Sequence, residues 1–185
     1  VFDFHIHSTV SFDGRSTPEE VLRAAQAAGL EELCFTDHID DDPFGPAPAN
    51  RFSPESYSAG YDHLDAQGLR LRLGVEFGLQ PNNRDSFREI LTWRDYDFVL
   101  GSVHYADGVD AYYPEYWRDK TLFQAERKYF EDTLMLVQRH EDFDVLAHLT
   151  YISKPRIHPT HTPVKLEEHR DVIAAILETL VAKGK

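Results

Sequence analysis

The strongest constraint on the fold is an alternation of short apolar segments with helical segments that runs through all 185 residues. The apolar segments have the length and composition of strands, and they are 1–7, 32–38, 69–78, 97–104 and 142–149. Helices are predicted in the intervening segments 16–29, 53–68, 84–93 and 121–140, and in 164–184. Because strands that alternate with helices pair in parallel through helical crossovers, the sequence predicts an α/β protein with a mainly parallel sheet.

The first predicted helix carries clear start and stop signals. Thr17 can cap the helix, Pro18 suits its first turn, and Glu20 completes a capping box with Thr17. Gly29 follows the last predicted turn, where a left-handed glycine often ends a helix. The chain therefore opens with a strand, a helix and a second strand.

Metal-compatible side chains occur at the C-terminal end of every predicted strand. In (β/α) barrels the active site is built at that edge of the sheet, from the ends of several strands. A single buried histidine is usually structural, but such residues at five successive strand ends indicate a shared site. The residues are His5, His7, Asp37, His38, Glu76, His104 and His148.

The stretch "FDFHIHSTVSFDG" holds the most specific part of this pattern. His5 and His7 are two residues apart, so on an extended strand both imidazoles point to the same face. Asp13 follows a few residues later in an Asp-Gly pair, which is a turn signal. Asp13 is therefore either a turn residue or another oxygen ligand, and the spacing leaves both open.

The combination of imidazoles and carboxylates indicates a particular chemistry. These groups suit Zn²⁺, Mn²⁺, Fe²⁺ or Co²⁺, and the sequence does not choose among them. The set is too large for one tetrahedral ion, and Glu76 is placed in the middle of the ligand order to bridge two. Two ions about 3.5–4 Å apart can clamp the oxygens of a phosphate ester, so the sequence predicts phosphate ester hydrolysis.

A loop after the last predicted strand offers cations for a phosphate group. Lys154 and Arg156 follow His148 in the segment "SKPRI". Arginine can bind two phosphate oxygens at once, whereas lysine acts as a point charge. Substrate binding by this pair and simple solvation of two loop cations both fit the sequence.

Composition limits the classes of partner. The formal net charge of −13 argues against nucleic acid, since a phosphate backbone requires clustered Lys and Arg. The single cysteine, Cys34, excludes an intramolecular disulfide and lies in an apolar run typical of a small buried residue. With no leader and no apolar run long enough for a bilayer, we expect a cytoplasmic protein of one domain.

Five segments in order, "DFHIHSTVSFDG", "FTDH", "GVEFG", "GSVH" and "LAH", resemble the PHP superfamily of polymerase and histidinol phosphatase domains. The stretch "GSVHYADGVDAYY" is similar to the monofunctional histidinol-phosphate phosphatases of that superfamily. The resemblance covers essentially the whole chain. It implies a distorted (β/α)7 TIM-like barrel, a trinuclear metal centre, and hydrolysis of L-histidinol phosphate in histidine biosynthesis.

The resemblance also implies which residues hold the metals. His5, His7 and Glu76 would bind one ion, and Glu76 would bridge to a second ion held by His104 and His148. A centre of two to three divalent transition-metal ions, with zinc, manganese or iron as the candidates, would follow.

The third ion would be held by Asp13 and His38. Glu76 and Asp37 are the carboxylates that we expect to serve catalysis, and we expect Asp37 to orient its neighbours rather than bind metal. The substrate would be a small phosphorylated molecule.

The sequence departs from the family pattern at its C-terminal end. Relatives continue with a further strand and an Asp-x-His pair that supplies two more ligands, and nothing after His169 matches that pair. From this we expect the C-terminal strands to be absent from the chain, and the single PHP domain of residues 1–185 to be incomplete.

Other functions also fit these residues. A PHP phosphoesterase for nucleotides or another small ester shares the same motifs. Amidohydrolase barrels also begin with His-x-His, although they commonly use a modified lysine where this chain offers Glu76. A non-catalytic metal-binding module is the alternative from a different class.

Overall fold

The computed structural model describes residues 1–41, 50–154 and 163–185. The strands are β1 (Phe2–Ile6), β2 (Glu32–Ile39), β3 (Arg70–Gly78), β4 (Phe98–Ser102), β5 (Tyr105–Ala106), β6 (Val109–Asp110) and β7 (Val145–Leu146). The α-helices are α1 (Pro18–Ala27), α2 (Pro54–Tyr61), α3 (Arg84–Leu91), α4 (Pro114–Trp117), α5 (Leu122–Arg139) and α6 (Arg170–Ala182). Two 3₁₀ turns cover Tyr151–Ser153 and Leu166–His169. The interleaving of strands and helices confirms the α/β class.

The chain divides into two compact units, which are described separately. Unit 1 comprises Val1–Phe77 and Asp85–Leu100, and unit 2 comprises Gly78–Arg84 and Gly101–Lys185. Unit 1 contains most of the long strands, whereas unit 2 contains the longest helices.

The sheet of unit 1 has its strands in the order β1-β2-β3-β4. β1 pairs with β2 in parallel, and β2 pairs with β3 in parallel along its whole length. The register places His38 of β2 opposite Glu76 of β3. Two of the predicted ligands therefore leave the sheet side by side at the carboxyl ends of their strands.

Helix α1 begins as its sequence predicts. The Thr17 side chain accepts a hydrogen bond from the Glu20 N–H, and the Glu20 carboxylate accepts one from the Thr17 N–H. Gly29 has a φ of +72°, which is the left-handed conformation expected just after a helix. These contacts satisfy backbone donors that the first turn of a helix leaves unpaired.

The core of unit 1 is built from the inward side chains of the sheet and of the helices on it. Leu33, Phe35 and Val75 are fully buried, and the ring of Phe77 stacks on that of Phe87 at 4.0 Å. Cys34 is also fully buried, as predicted, and burial raises the pKa of its thiol to about 12. Cys34 therefore contributes to packing as an uncharged side chain.

Unit 2 is organised around the packing of α5 against α6. Tyr129 and Phe130 of α5 are buried, and the Tyr129 hydroxyl donates to the carbonyl oxygen of Val103 at 2.9 Å. The N–H of Ala147, the residue after β7, donates to the carbonyl oxygen of Gly101 in β4 at 2.9 Å.

Among the helices in the described ranges, none is both long enough and apolar enough to cross a bilayer.

The structure adds a hairpin that the sequence analysis did not predict. β5 and β6 pair antiparallel around Asp107 and Gly108, whose φ values are +54° and +74°. Positive φ at both central residues is the geometry of the tight hairpin turn that Asp-Gly favours. The Asp-Gly pair between "YA" and "VD" was the available signal.

Two predicted helices have different bounds in the structure. The helix predicted over 53–68 begins as expected at Pro54 but ends at Tyr61, and Gln67 and Gly68 then form a turn with positive φ. The helix predicted over 164–184 starts only at Arg170. The preceding 3₁₀ turn places His169 fully inside unit 2, so a tertiary contact overrides the helical pattern there.

Candidate metal centre

The first two histidines lie together at the carboxyl end of β1. Their rings stack with centroids 5.3 Å apart and an interplanar angle of 24°, as the spacing of two residues predicts. His5 lies within β1, and His7 follows the last residue of the strand. The strand therefore presents two imidazoles as neighbours.

Both imidazoles contact one buried carboxylate oxygen. Glu76 Oε2 lies 3.0 Å from His5 Nε2 and 2.8 Å from His7 Nε2. The Glu76 side chain is only 1% exposed, so its charge needs close polar partners. The structure thus joins the ends of β1 and β3 through a single oxygen atom.

Asp13 faces the same group from the loop after β1. Both of its carboxylate oxygens lie 3.0 Å from His7 Nδ1, and Oδ2 lies 3.6 Å from His38 Nδ1. Burial alone would raise the pKa of Asp13, but its contact with His38 and its hydrogen bonds with His7 and Ser11 hold that pKa far below its usual range. Asp13 is therefore an ionised carboxylate directed at two histidines, beyond any role in the turn.

A further carboxylate, that of Asp40, contacts His38. Its Nε2 lies 3.2 Å from Oδ2 of Asp40, which is 5% exposed, and its ring stacks on Phe12 at 5.2 Å. Asp40 was not predicted from the sequence. The same spacing of two residues that paired His5 with His7 places Asp40 beside His38 and was the available signal.

The donor atoms of this group fit a transition-metal ion. We call the group the unit 1 histidine cluster, and it consists of His5, His7, Asp13, His38, Asp40 and Glu76. Ligand atoms of His7, His38 and Glu76 all lie within 4.8 Å of one another. Imidazole nitrogen and carboxylate oxygen are the donors that zinc, iron and manganese share in proteins. The residues present therefore fit the metals that the sequence predicts.

The electrostatics of the cluster favour a positive charge at His7. Burial lowers the pKa of His7, but hydrogen bonds with Asp13 and Glu76 and the charges of these two groups outweigh it and raise the pKa to about 9. A site that stabilises a protonated imidazole also stabilises a divalent cation. The proton and the metal ion therefore compete for the same position.

Asp37 differs from these carboxylates because its oxygens bond to groups outside the cluster. Its Oδ1 accepts the Ser8 N–H at 2.7 Å, and its Oδ2 accepts a hydrogen bond from the Tyr61 hydroxyl. Asp37 is fully buried, and burial raises its pKa to about 6 against the opposing effect of these hydrogen bonds. These contacts suit the orienting role expected for Asp37.

Unit 2 brings the other two predicted ligands together. His104 follows β4 and His148 follows β7, and their ring centroids are 5.2 Å apart. The Tyr151 ring lies 4.9 Å from that of His104 and 5.4 Å from that of His148. We call His104, His148 and Tyr151 the unit 2 aromatic group.

Of the two predicted phosphate-binding cations, Lys154 lies within the described residues. Lys154 ends the 3₁₀ turn after His148, and its Nζ lies 4.6 Å from the centre of the Tyr151 ring. Arg156 lies outside the described residues, so its role stays a prediction. Lys154 thus contacts the tyrosine that touches both histidines of unit 2.

The remaining histidines of the described ranges have structural contacts. His63 pairs with Glu19 at 2.8 Å on the surface. His140 is the C-cap residue of α5, and its Nε2 lies 2.9 Å from the carbonyl oxygen of Gln80. His169 is fully buried, with its Nε2 2.9 Å from Glu126 Oε2. Their contacts account for these side chains without a metal.

The site and the fold agree with a family model. The model of the PHP domain matches residues 3–185. The chain belongs to the PHP domain family.

Within this family the chain is similar to histidinol phosphatases. It is 28% identical over 187 residues to the histidinol-phosphatase of Lactococcus lactis, covering 99% of this chain and 68% of the relative. It is 31% identical over 183 residues to a Deinococcus radiodurans protein named "Probable histidinol-phosphatase", covering 93% of this chain and 68% of the relative.

A solved structure extends this similarity. The crystal structure of a histidinol phosphate phosphatase from Lactococcus lactis, complexed with zinc, L-histidinol and phosphate, superposes with a TM-score of 0.90. The two sequences are 29% identical, and the match covers 100% of this chain and 70% of that chain.

Proposed function

We propose that this chain is a metal-dependent phosphatase that hydrolyses L-histidinol phosphate to L-histidinol in histidine biosynthesis, in the cytoplasm. One observation gives the proposal its main support. A single buried oxygen of Glu76 joins two histidines in a chain similar over its full length to a phosphatase crystallised with zinc, L-histidinol and phosphate. This group of donors has the chemistry that binds the metal ions of a phosphatase.

The proposed metal ligands come from both units. In unit 1, His5 and His7 would hold one ion with Glu76, and Asp13 and His38 would hold another. In unit 2, His104 and His148 would hold an ion. A total of two to three divalent ions is proposed, with zinc, manganese or iron as the candidates.

The ions, when bound, would polarise the phosphoryl group and make water nucleophilic at neutral pH. The protein's own residues supply the setting for this chemistry. Before metal binds, Asp13 and Glu76 hold the imidazoles of His7 and His5 in place through hydrogen bonds of about 3 Å. Lys154 and Arg156 are proposed to orient the phosphate group, with Arg156 able to bind two oxygens at once.

The proposed architecture of the whole protein is one PHP domain with a distorted seven-stranded (β/α) barrel. The alternation of strands and helices from β1 to β4 supports this proposal. So does the parallel pairing of β1, β2 and β3.

Substrate comparison with controlled metal content tests the function. The protein is stripped with a chelator, reloaded separately with Zn²⁺ or Mn²⁺, and assayed with L-histidinol phosphate, a nucleoside monophosphate and an aryl phosphate. We expect activity only after reloading. We also expect kcat/KM for L-histidinol phosphate to exceed that of the nucleotide by about 100-fold or more, because a site that hydrogen-bonds one substrate rejects another strongly.

Three results would contradict the proposal. Activity that persists after complete metal removal would exclude the proposed chemistry. Equal or better turnover of the nucleotide would favour a nucleotide phosphoesterase instead. No turnover of any ester by metal-loaded protein would favour a metal-binding module.

A further inference from the structure

A buried hydroxyl of helix α2 is linked by hydrogen bonds to the segment that carries His7 and Asp13. The Tyr61 side chain is 2% exposed, and its hydroxyl donates to Asp37 Oδ2. The same hydroxyl lies 2.7 Å from Ser8 Oγ. Tyr61 therefore contacts the residue that follows His7 and the residue that precedes His38.

The hydroxyl groups of Tyr61 and Ser8 share the carboxylate of Asp37 in this network. A tyrosine hydroxyl has one proton, and here the proton is donated to the carboxylate of Asp37. Ser8 Oγ then donates to Tyr61 or Asp37, and it accepts the Val10 N–H at 3.1 Å. Because each group is buried and bonded, the loss of one hydroxyl leaves its partners without a bond they had.

Ser8 is the point at which this network acts on the cluster. The Ser8 N–H belongs to the peptide bond that joins His7 to Ser8, and Asp37 accepts it at 2.7 Å. The Ser8 carbonyl accepts the Ser11 N–H at 3.0 Å, which starts the loop that leads to Asp13. Through Asp37 and Ser8, Tyr61 thus helps to fix the backbone of the segment that contains His7 and Asp13.

Close packing of α2 against this loop supports the same conclusion. A Cβ atom at Gly60 would come within 2.5 Å of Val10 Cγ2. Glycine at this position therefore lets α2 pack closely against the Val10 side chain of the loop. Neighbouring residues of α2 therefore serve the same contact.

We propose that Tyr61, acting through Ser8 and Asp37, is a positioning residue for the metal centre that sets the placement of His7 and Asp13. This inference rests on the proposed metal-binding function. Groups that orient metal ligands typically contribute about 10- to 100-fold to metal affinity, although they do not touch the ion.

Tyr57 provides a matched control on the same helix. It is also 2% exposed, its ring lies 4.7 Å from that of Tyr61, and its hydroxyl donates to the carbonyl oxygen of Gly74 at 2.8 Å. Gly74 lies within β3, where pairing with β2 holds the backbone independently. Tyr57→Phe therefore removes an equally buried hydrogen bond that does not lead to Ser8.

The test uses metal-stripped wild type, Tyr61→Phe and Tyr57→Phe titrated with Co²⁺, whose visible absorption reports ligand geometry. We expect Tyr61→Phe to bind Co²⁺ about tenfold or more weakly, with an altered visible spectrum. We expect Tyr57→Phe to match wild type in both measurements while losing a similar amount of Tm. Neither readout requires turnover, so a failure of the proposed substrate leaves this test intact.

Three outcomes would overturn the inference. Wild-type Co²⁺ affinity and spectrum in Tyr61→Phe would make its hydroxyl merely structural. Equal weakening in both variants would mean that general loosening of α2 is the cause. If Tyr61→Phe does not fold, Ser8→Ala replaces it with the same expected effects, and wild-type Co²⁺ binding by that variant would reject the proposal.

Discussion

The two groups of predicted ligands are built in different ways. In the unit 1 histidine cluster, imidazoles meet carboxylates, and His5 and His7 both lie within 3.0 Å of one Glu76 oxygen. In the unit 2 aromatic group, His104 and His148 pack against each other and against Tyr151. The first arrangement attracts a cation strongly, whereas the second holds two imidazoles in place with an aromatic ring. Because Glu76 and Asp13 favour a positive charge at His7, we expect the cluster of unit 1 to contribute strongly to metal retention and to its pH dependence.

The largest expected effect is that of Glu76→Gln. Because Glu76 contacts two histidines and is the proposed shared ligand of two ions, its loss should weaken metal binding by about 100-fold or more. Elemental analysis after dialysis should show a greater loss of metal than in His104→Ala. Glu126→Gln is the matched control, since Glu126 is also a buried carboxylate 2.9 Å from a histidine. Greater metal loss in His104→Ala than in Glu76→Gln would reverse the comparison.

The next effect concerns the loop after the unit 2 aromatic group. A charge-assisted contact between Arg156 and phosphate would contribute roughly 1.5–3 kcal/mol. We expect Arg156→Ala to lower kcat/KM by about 10- to 150-fold with unchanged metal content. Steady-state kinetics together with elemental analysis measure both. Wild-type kcat/KM in this variant would show that phosphate is bound elsewhere.

The pH dependence of metal binding follows from His7. Its pKa of about 9 in the metal-free protein is above the ordinary value of 6.5. A metal ion needs the neutral imidazole, so His7 alone should make the metal affinity rise about tenfold per pH unit between 6.5 and 9. Calorimetric titration with Zn²⁺ in buffers of different ionisation enthalpy measures both the affinity and the released proton. An affinity that does not change over this range would contradict the prediction.

The stability of the metal-free protein should change with pH in the opposite direction. A raised pKa in the folded state stabilises the protein fully below pH 6.5, and this contribution disappears as the pH rises through 9. His7→Gln should remove this part of the pH dependence of Tm. His63→Gln should retain it, because His63 pairs with Glu19 on the surface.

The smallest expected effect is that of Lys154→Ala. Lys154 lies over the Tyr151 ring, and such a contact at an exposed position contributes about 0.5–1 kcal/mol. We expect KM to rise about two- to fivefold with little change in kcat. Lys165→Ala, which changes an exposed lysine paired with Glu168, should leave both constants unchanged. A larger effect than that of Arg156→Ala would make Lys154 the main phosphate contact.

Much of the site could be predicted because its signals are local. The stacking of His5 on His7 follows from the period of a strand, and the start of α1 follows from Thr17, Pro18 and Glu20. Asp40 lies beside His38 by the same period, so it was missed although its signal was present. Local spacing is reliable because it depends only on backbone geometry.

The predictions that were wrong, and the features that were not predicted, depend on contacts between distant residues. His169 is buried and pairs with Glu126 of another helix, and the helix predicted from 164 starts at Arg170. Tyr61 reaches Ser8, which lies 53 residues earlier in the chain, and no periodicity in α2 indicates that contact. Such contacts follow from the packing of whole elements, which no short window of sequence contains.

The sequence by itself determined the α/β class, the order of the main strands and the presence of metal-compatible side chains at their ends. These depend on hydrophobic periodicity and on residue chemistry, both of which can be read locally. Tertiary structure alone decided that one Glu76 oxygen meets both His5 and His7, that Asp13 faces His38, and that Asp37 turns towards Ser8. The physical reason is that strand register and loop path set distances of about 3 Å, and side-chain spacing along the chain does not.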